Sequence, residues 1–216
     1  ARKLSKPAKS LSFDAITGLS QIDDCILVDQ SPISRSARSC PVTYVKAFDP
    51  IRKVFAASVE ARTRNFSPGH FSFNSAKGQC SECEGAGVLE IDMQFLADVT
   101  MRCTTCRGTR YRDEVLDIRY RDRSISEVLE MTVREAFTFF RGQTKVQARL
   151  KRLIDVGLDY IALGQSATTL SSGEGQRLKL AAFLASGKRR RTLFMLDEPT
   201  TGLHFADIVR LVDCFD

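Results

Sequence analysis

Four cysteines constrain this chain more than any other feature. Cys80-x2-Cys83 and Cys103-x2-Cys106 are separated by 19 residues, the spacing of a four-thiolate tetrahedral metal site. Each pair closes a tight turn that aims two sulfurs at one ion. Gly85, Gly87 and Gly108 follow the pairs and let the backbone turn back, so that its N–H groups approach the thiolates. Zn2+ is expected rather than iron, because the site reads as a structural staple for a small two-stranded unit. The competing reading is two disulfides or four buried thiols. It is the weaker one, since four Cys within 27 residues rarely coincide by chance. Cys25, Cys40 and Cys214 lack such partners and read as ordinary core or surface residues.

The seven cysteines are an odd number, and the chain begins Ala1-Arg2-Lys3-Leu4 with no apolar signal core. Secretion is therefore not expected, and clustered Cys in a reducing compartment suit metal better than disulfides. No stretch approaches the roughly 20 apolar residues that cross a bilayer. The expectation is a soluble, cytoplasmic protein with no membrane partner. With 43% hydrophobic residues over 216 positions, the chain can bury a real core. The net charge is +6, and all of the excess lies in residues 1–79, with 12 Lys+Arg against 6 Asp+Glu. That segment is either an electrostatic footprint for nucleic acid or a solvated lysine-rich end.

Periodicity places the motifs. Residues 1–12 read as a basic lead-in. Ile26-Leu-Val-Asp29-Gln30 reads as a buried strand delivering Asp29 and Gln30 at its C-terminal end. Residues 44–62 read as a helix and 65–78 as loop. Residues 80–122 form a small unit with two period-two strands, one over Leu89–Phe95 and one over Leu116–Tyr120, flanking the second Cys pair. Ser124-x2-Glu127 and Thr132-x2-Glu135 match capping boxes, predicting helices to about Met131 and Phe140. Further helices are expected over Lys145–Val156 and from the Gly173 region to Ala185. Leu193–Leu196 reads as a buried strand, and another helix starts near Phe205.

Two segments carry phosphate chemistry. Leu170-Ser-Ser-Gly-Glu-Gly-Gln176-Arg177 opens a helix whose N-terminus exposes free N–H groups, an anion site by its dipole, although alone it would read as a plain N-cap. Leu193-Phe-Met-Leu-Asp197-Glu198-Pro199 is an apolar strand ending in two acids. The first is placed to hold Mg2+ and the second to orient a water for attack on a γ-phosphate.

Together these segments resemble the signature and Walker B–D-loop pair of ABC-type ATPases. The resemblance is closest to the UvrA family, the DNA damage-recognition ATPases of bacterial nucleotide excision repair. Val28-Asp-Gln-Ser-Pro-Ile33, Phe71-Ser-Phe-Asn74, both Cys pairs, Arg110-Tyr111, Val156-Gly-Leu158 and Leu163-Gly-Gln165 all look like that family, in the order of its C-terminal half. The implied fold is an α/β ABC-ATPase-type nucleotide-binding domain fragment with an inserted four-Cys zinc module and a helical signature subdomain. Residues 1–79 and 187–216 would belong to the ATP-binding core, 80–122 to the zinc module and 123–186 to the signature subdomain. By resemblance Gln30 is the Q-loop glutamine, and Ser171, Gly173 and Glu174 are the signature reaching ATP on the opposing half. Asp197 is the magnesium aspartate, Glu198 the general base, and His204 lies in the D-loop. Implied partners are ATP with Mg2+, damaged double-stranded DNA, a UvrB-type protein and a second copy of the full-length chain.

Departures are visible in the sequence. Ser172 and Gly175 stand where the family has Gly and Ala. No G-x-x-x-x-G-K-[ST] loop occurs, nor does the switch histidine, so this chain is expected to be inactive alone. Two alternatives remain open. One is a truncated UvrA paralogue acting as a zinc- or DNA-binding module. The other is a DnaJ-like zinc chaperone module, which repeats its Cys motif four times and would leave the acids after Leu196 unexplained.

Overall fold

A computed structural model of the chain describes residues 14, 15, 17–34, 36–91, 99–185, 191–200, 208, 209 and 212. The basic lead-in, most of the Leu89–Phe95 strand beyond Ile91, His204, Cys214 and the start of the helix near Phe205 lie outside the described residues. In chain order the N-terminal elements are β1 (Asp24–Val28), α1 (Pro41–Tyr44), α2 (Phe48–Ala56) and α3 (Val59–Thr63). Then come β2 (Val88–Ile91), β3 (Val99–Arg102), α4 (Asp113–Leu116), α5 (Ile125–Glu130), α6 (Val133–Phe139), α7 (Thr144–Asp155), α8 (Ser172–Ala185) and β4 (Thr192–Leu196). Among the described residues no helix is long and apolar enough to cross a membrane.

β1 and β4 pair in parallel, from Asp24↔Thr192 to Val28↔Leu196. In-register parallel pairing makes both strands end at one edge, so Asp29-Gln30 and Asp197-Glu198 emerge side by side. The expected strands are there, but β4 is not buried on both faces. Phe194 faces α8, edge-on to Phe183 at 4.7 Å, while Leu193 and Met195 are 45% and 47% exposed and Leu27 is 61% exposed. Among the described residues only one face of this two-stranded sheet is covered, so burial alternates along β4.

Between the strands the helices share one core. Phe48, Ile51 and Phe55 of α2 join Phe71, Phe73, Phe140, Leu150 and Leu153, all essentially inaccessible. The single helix expected over 44–62 is instead α2 and α3. Ser58 breaks it by taking an extended backbone and capping α3, its side chain accepting from the Ala61 N–H at 3.2 Å. Both capping boxes form. Glu127 Oε2 accepts from the Ser124 N–H and Glu135 Oε2 from the Thr132 N–H, each at 2.8 Å.

The second strand expected in the cysteine unit is absent. Residues Asp113–Leu116 form α4, and Tyr111, Val115 and Ile118 are buried in the main core. Alternation at 116–120 misleads because Ile118 and Tyr120 pack against helices rather than on a sheet face. The partner of β2 is β3, antiparallel with Val88↔Arg102 and Ile91↔Val99, and this ribbon lies between the two Cys pairs rather than around the second.

Candidate functional site

The metal cluster follows from two copies of one turn. After each Cys-x2-Cys the next two residues take left-handed backbones: Glu84 and Gly85 at φ 47° and 83°, Arg107 and Gly108 at 51° and 86°. Gly85 is required sterically as well, since a Cβ there would sit 1.7 Å from the Phe73 carbonyl oxygen. The two turns bring Cys80, Cys83, Cys103 and Cys106 together, all buried, with their sulfurs within 4.8 Å of one another. Cys80 and Cys103 sulfurs are 3.9 Å apart and those of Cys83 and Cys106 3.6 Å. A tetrahedral zinc–thiolate cage with Zn–S of about 2.3 Å has S···S edges of about 3.8 Å, whereas a disulfide needs about 2.05 Å. The donor set therefore fits a zinc ion, and the six cysteines among the described residues are free thiols.

Protonation fits a site awaiting positive charge. Burial pushes the Cys106 thiol up to about 12 and raises Cys83. The Cys106 N–H draws Cys103 down to about 7. Four buried sulfurs cannot all ionise without a cation to offset them. Arg110 and Arg112, which follow the second Cys pair, donate to the protein's own carbonyls, Arg110 to Gly164 at 3.0 Å and Arg112 to Gln79 and Ala76 at 3.2 and 3.1 Å.

The second constellation is at the strand ends. α8 begins with a capping box that the sequence pattern left unread. The Ser171 N–H donates to Glu174 Oε2 at 2.8 Å and the Glu174 N–H to Ser171 Oγ at 3.2 Å. The other Glu174 oxygen accepts from the Tyr160 hydroxyl at 2.7 Å. Burial alone would raise the Glu174 carboxyl, but these donors outweigh it and leave it below the usual range. In this conformation, then, Glu174 is spent on holding its own helix start.

Gln30, Ser171, Ser172 and Gly175 line one cleft of about 420 Å³, so the structure brings Gln30 and Ser171 together. Asp197 and Glu198 are exposed just past β4, Glu198 with a left-handed φ of 47°. Two residues that sequence reasoning left out join the parts. Gln176, buried in α8, donates from Nε2 to the Val28 carbonyl at 2.9 Å and to the Asp197 carbonyl at 2.6 Å. Lys179 pairs with Asp29 Oδ1 at 2.6 Å and also donates to the carbonyls of Asp29 and Ser31. That ammonium and the Ser31 hydroxyl lower the Asp29 carboxyl to about 2. Their i, i+3 spacing puts Gln176 and Lys179 on one helix face, but nothing in sequence says what that face meets.

This cluster of features has clear counterparts. UvrABC system protein A of Pseudomonas aeruginosa is 51% identical over 201 residues, covering 93% of this chain. That of Methanothermobacter thermautotrophicus is 54% identical over 198 residues, 92% of this chain. This chain is homologous to UvrA. The crystal structure of UvrA2 from Deinococcus radiodurans matches with a TM-score of 0.85 at 46% identity, covering 91% of this chain. The chain spans only 21% of the length of the two UvrA relatives and 24% of the UvrA2 chain. No protein-family model matches it. The fold expected from the resemblance to UvrA stands, an α/β fragment carrying a four-Cys module.

Proposed function

We propose that this segment works as part of a UvrA-type ATPase that binds damaged duplex DNA in nucleotide excision repair, in the cytoplasm, with a UvrB-type partner and as a dimer of the full-length protein. The observation that carries this reading is the in-register β1–β4 pairing, which releases Asp29-Gln30 and Asp197-Glu198 at the same edge with Gln176 of α8 bonded to both strand ends. Open α/β sheets bind ligands outside the carboxyl ends of their strands.

In this reading residues 1–79 and 187–216 contribute to the ATP-binding core, 80–122 contain the zinc module and 123–186 the signature subdomain. Asp197 would hold Mg2+ and Gln30 would sense the ion and the nucleotide; the ion would neutralise phosphate charge. Glu198 orients the attacking water and takes its proton. Ser171 and Gly173 turn the N-terminus of α8 toward ATP bound by the opposing half, and His204 is assigned to the D-loop by its place in the sequence. Glu174 joins them once it gives up its bond to Tyr160. The four cysteines would hold Zn2+ and staple the unit that they belong to.

The reading is tested by exchanging this segment for its counterpart in the Pseudomonas aeruginosa protein. ATP turnover and preference for damaged duplex are retained if the reading holds. In that chimera Glu198→Gln lowers turnover at least a hundredfold while ATP binding survives. Unchanged turnover in the Gln variant removes Glu198 from the base role, and a folded chimera without turnover overturns the assignment.

A further inference from the structure

The metal cluster and the cleft at the start of α8 belong to different stretches of chain, and one residue joins the cluster to the loop that leads to the cleft. Arg110 lies four positions after Cys106, the place that Gly87 takes after Cys83, where the Gly87 N–H donates to Cys83 Sγ at 3.2 Å. The Arg110 carbonyl accepts from the Cys80 N–H at 2.9 Å. Arg110 therefore follows the second Cys pair closely in sequence and bonds to the first ligand of the other pair, and it does so with a left-handed backbone, φ 75°, which a non-glycine residue keeps only where its surroundings hold it.

The side chain runs the other way. Its guanidinium carbon lies 5.1 Å from the centre of the Phe73 ring, and Nη2 donates to the Gly164 carbonyl at 3.0 Å. Nη1 is buried with no hydrogen-bond partner, so this guanidinium is turned away from any phosphate backbone. Gly164 is clamped from its other side, its N–H donating to the Leu129 carbonyl at 2.7 Å. From Gly164 the chain passes through a 3-10 turn, Ala167–Thr169, to Ser171, and Ala167, Thr168 and Leu170 line the cleft that also holds Gln30.

We propose that the Arg110 guanidinium is a positioning group that makes the order of the loop leading into α8, residues 164–171, depend on the metal centre. The proposal rests on the zinc reading above. With metal bound, the Arg110 carbonyl's bond to the Cys80 N–H and the short chain from Cys106 fix its left-handed conformation and so aim the guanidinium at Gly164. When the sulfurs lose their common ion those restraints loosen, the backbone relaxes, and the Gly164 carbonyl loses its charged donor. Coupling of this kind is reciprocal, so ordering the loop tightens the metal site in turn.

Hydrogen exchange on the 216-residue chain tests this, comparing the zinc-loaded and chelator-stripped forms of the wild type, Arg110→Met and Arg110→Lys. Zinc content is measured in each. Both variants keep the backbone bond to Cys80, and the wild type and both variants are expected to load one zinc per chain. In the wild type, stripping speeds exchange across 164–171 by about tenfold, the factor set by losing one hydrogen bond to a charged donor. In Arg110→Met the loop exchanges fast in both states, and Arg110→Lys restores part of the metal response. A wild-type loop indifferent to zinc, or a Met variant that keeps the tenfold response, overturns the coupling alone. A chain that takes up no zinc overturns the zinc reading together with it.

Discussion

Gly175 stands where the family pattern has Ala, and replacing it with Ala should stabilise the chain. The residue is the fourth of α8, its N–H already bonded to the Ser171 carbonyl at 2.9 Å. Glycine in a helix interior costs about 1 kcal/mol relative to Ala, mostly as backbone freedom lost on folding. A Cβ at this position would lie 3.6 Å from Cδ1 and Cγ1 of Ile33, ordinary van der Waals contact that needs no shift. The helix term and the small gain from covering one methyl act in the same direction, giving about 1 kcal/mol. For a chain of this length that raises Tm by roughly 2–4 °C. The assay is urea unfolding at saturating zinc, with the midpoint moving up and the m-value unchanged. Gly175→Leu supplies the contrast, because its branches must displace Ile33 and it should lower the midpoint. A Gly175→Ala midpoint that falls would refute the reasoning. It would mean that α8 and the Gln30 loop approach more closely than the Ile33 contact implies.

Two further outcomes test other parts of the structure. Cys103→Ser should abolish stoichiometric zinc binding and disorder the ribbon up to Arg110, while Tyr111 and the residues after it stay protected because they belong to the main core; hydrogen exchange reads both, and metal retained at full stoichiometry would refute the four-thiolate site. Lys179→Met removes the largest cause of the low Asp29 pKa of about 2 and should return that carboxyl toward 3.8. Since the folded value is the depressed one, the Asp29–Lys179 pair contributes stability above the ordinary carboxylate pKa and loses it as pH falls toward 2. NMR titration of Asp29 checks the shift, and a value still near 2 in the Met variant would remove Lys179 as its cause.

Much of the architecture was legible locally. The capping boxes at Ser124 and Thr132, the β1 and β4 runs and the paired Cys turns each depend on residues within a few positions of one another. Hydrogen bonds and turn conformations of that range are written in short motifs. The misreadings have two causes. The 44–62 segment split because Ser58 could cap, and 116–120 looked like a strand because Ile118 and Tyr120 alternate with charges while being buried against helices. Periodicity reports which side chains are buried but not what buries them.

Sequence by itself determined the chemistry: four thiols at metal spacing, a serine- and glycine-rich helix start and two acids after an apolar strand. Only the tertiary structure decided how these parts meet. Gln176 ties the ends of two strands that lie 168 positions apart at their first residues, Asp24 and Thr192. Arg110 joins the metal ligands to Gly164, 54 residues away. Contacts over such separations arise when the core closes and burial forces each polar group to find a partner. No local pattern records which partner that will be.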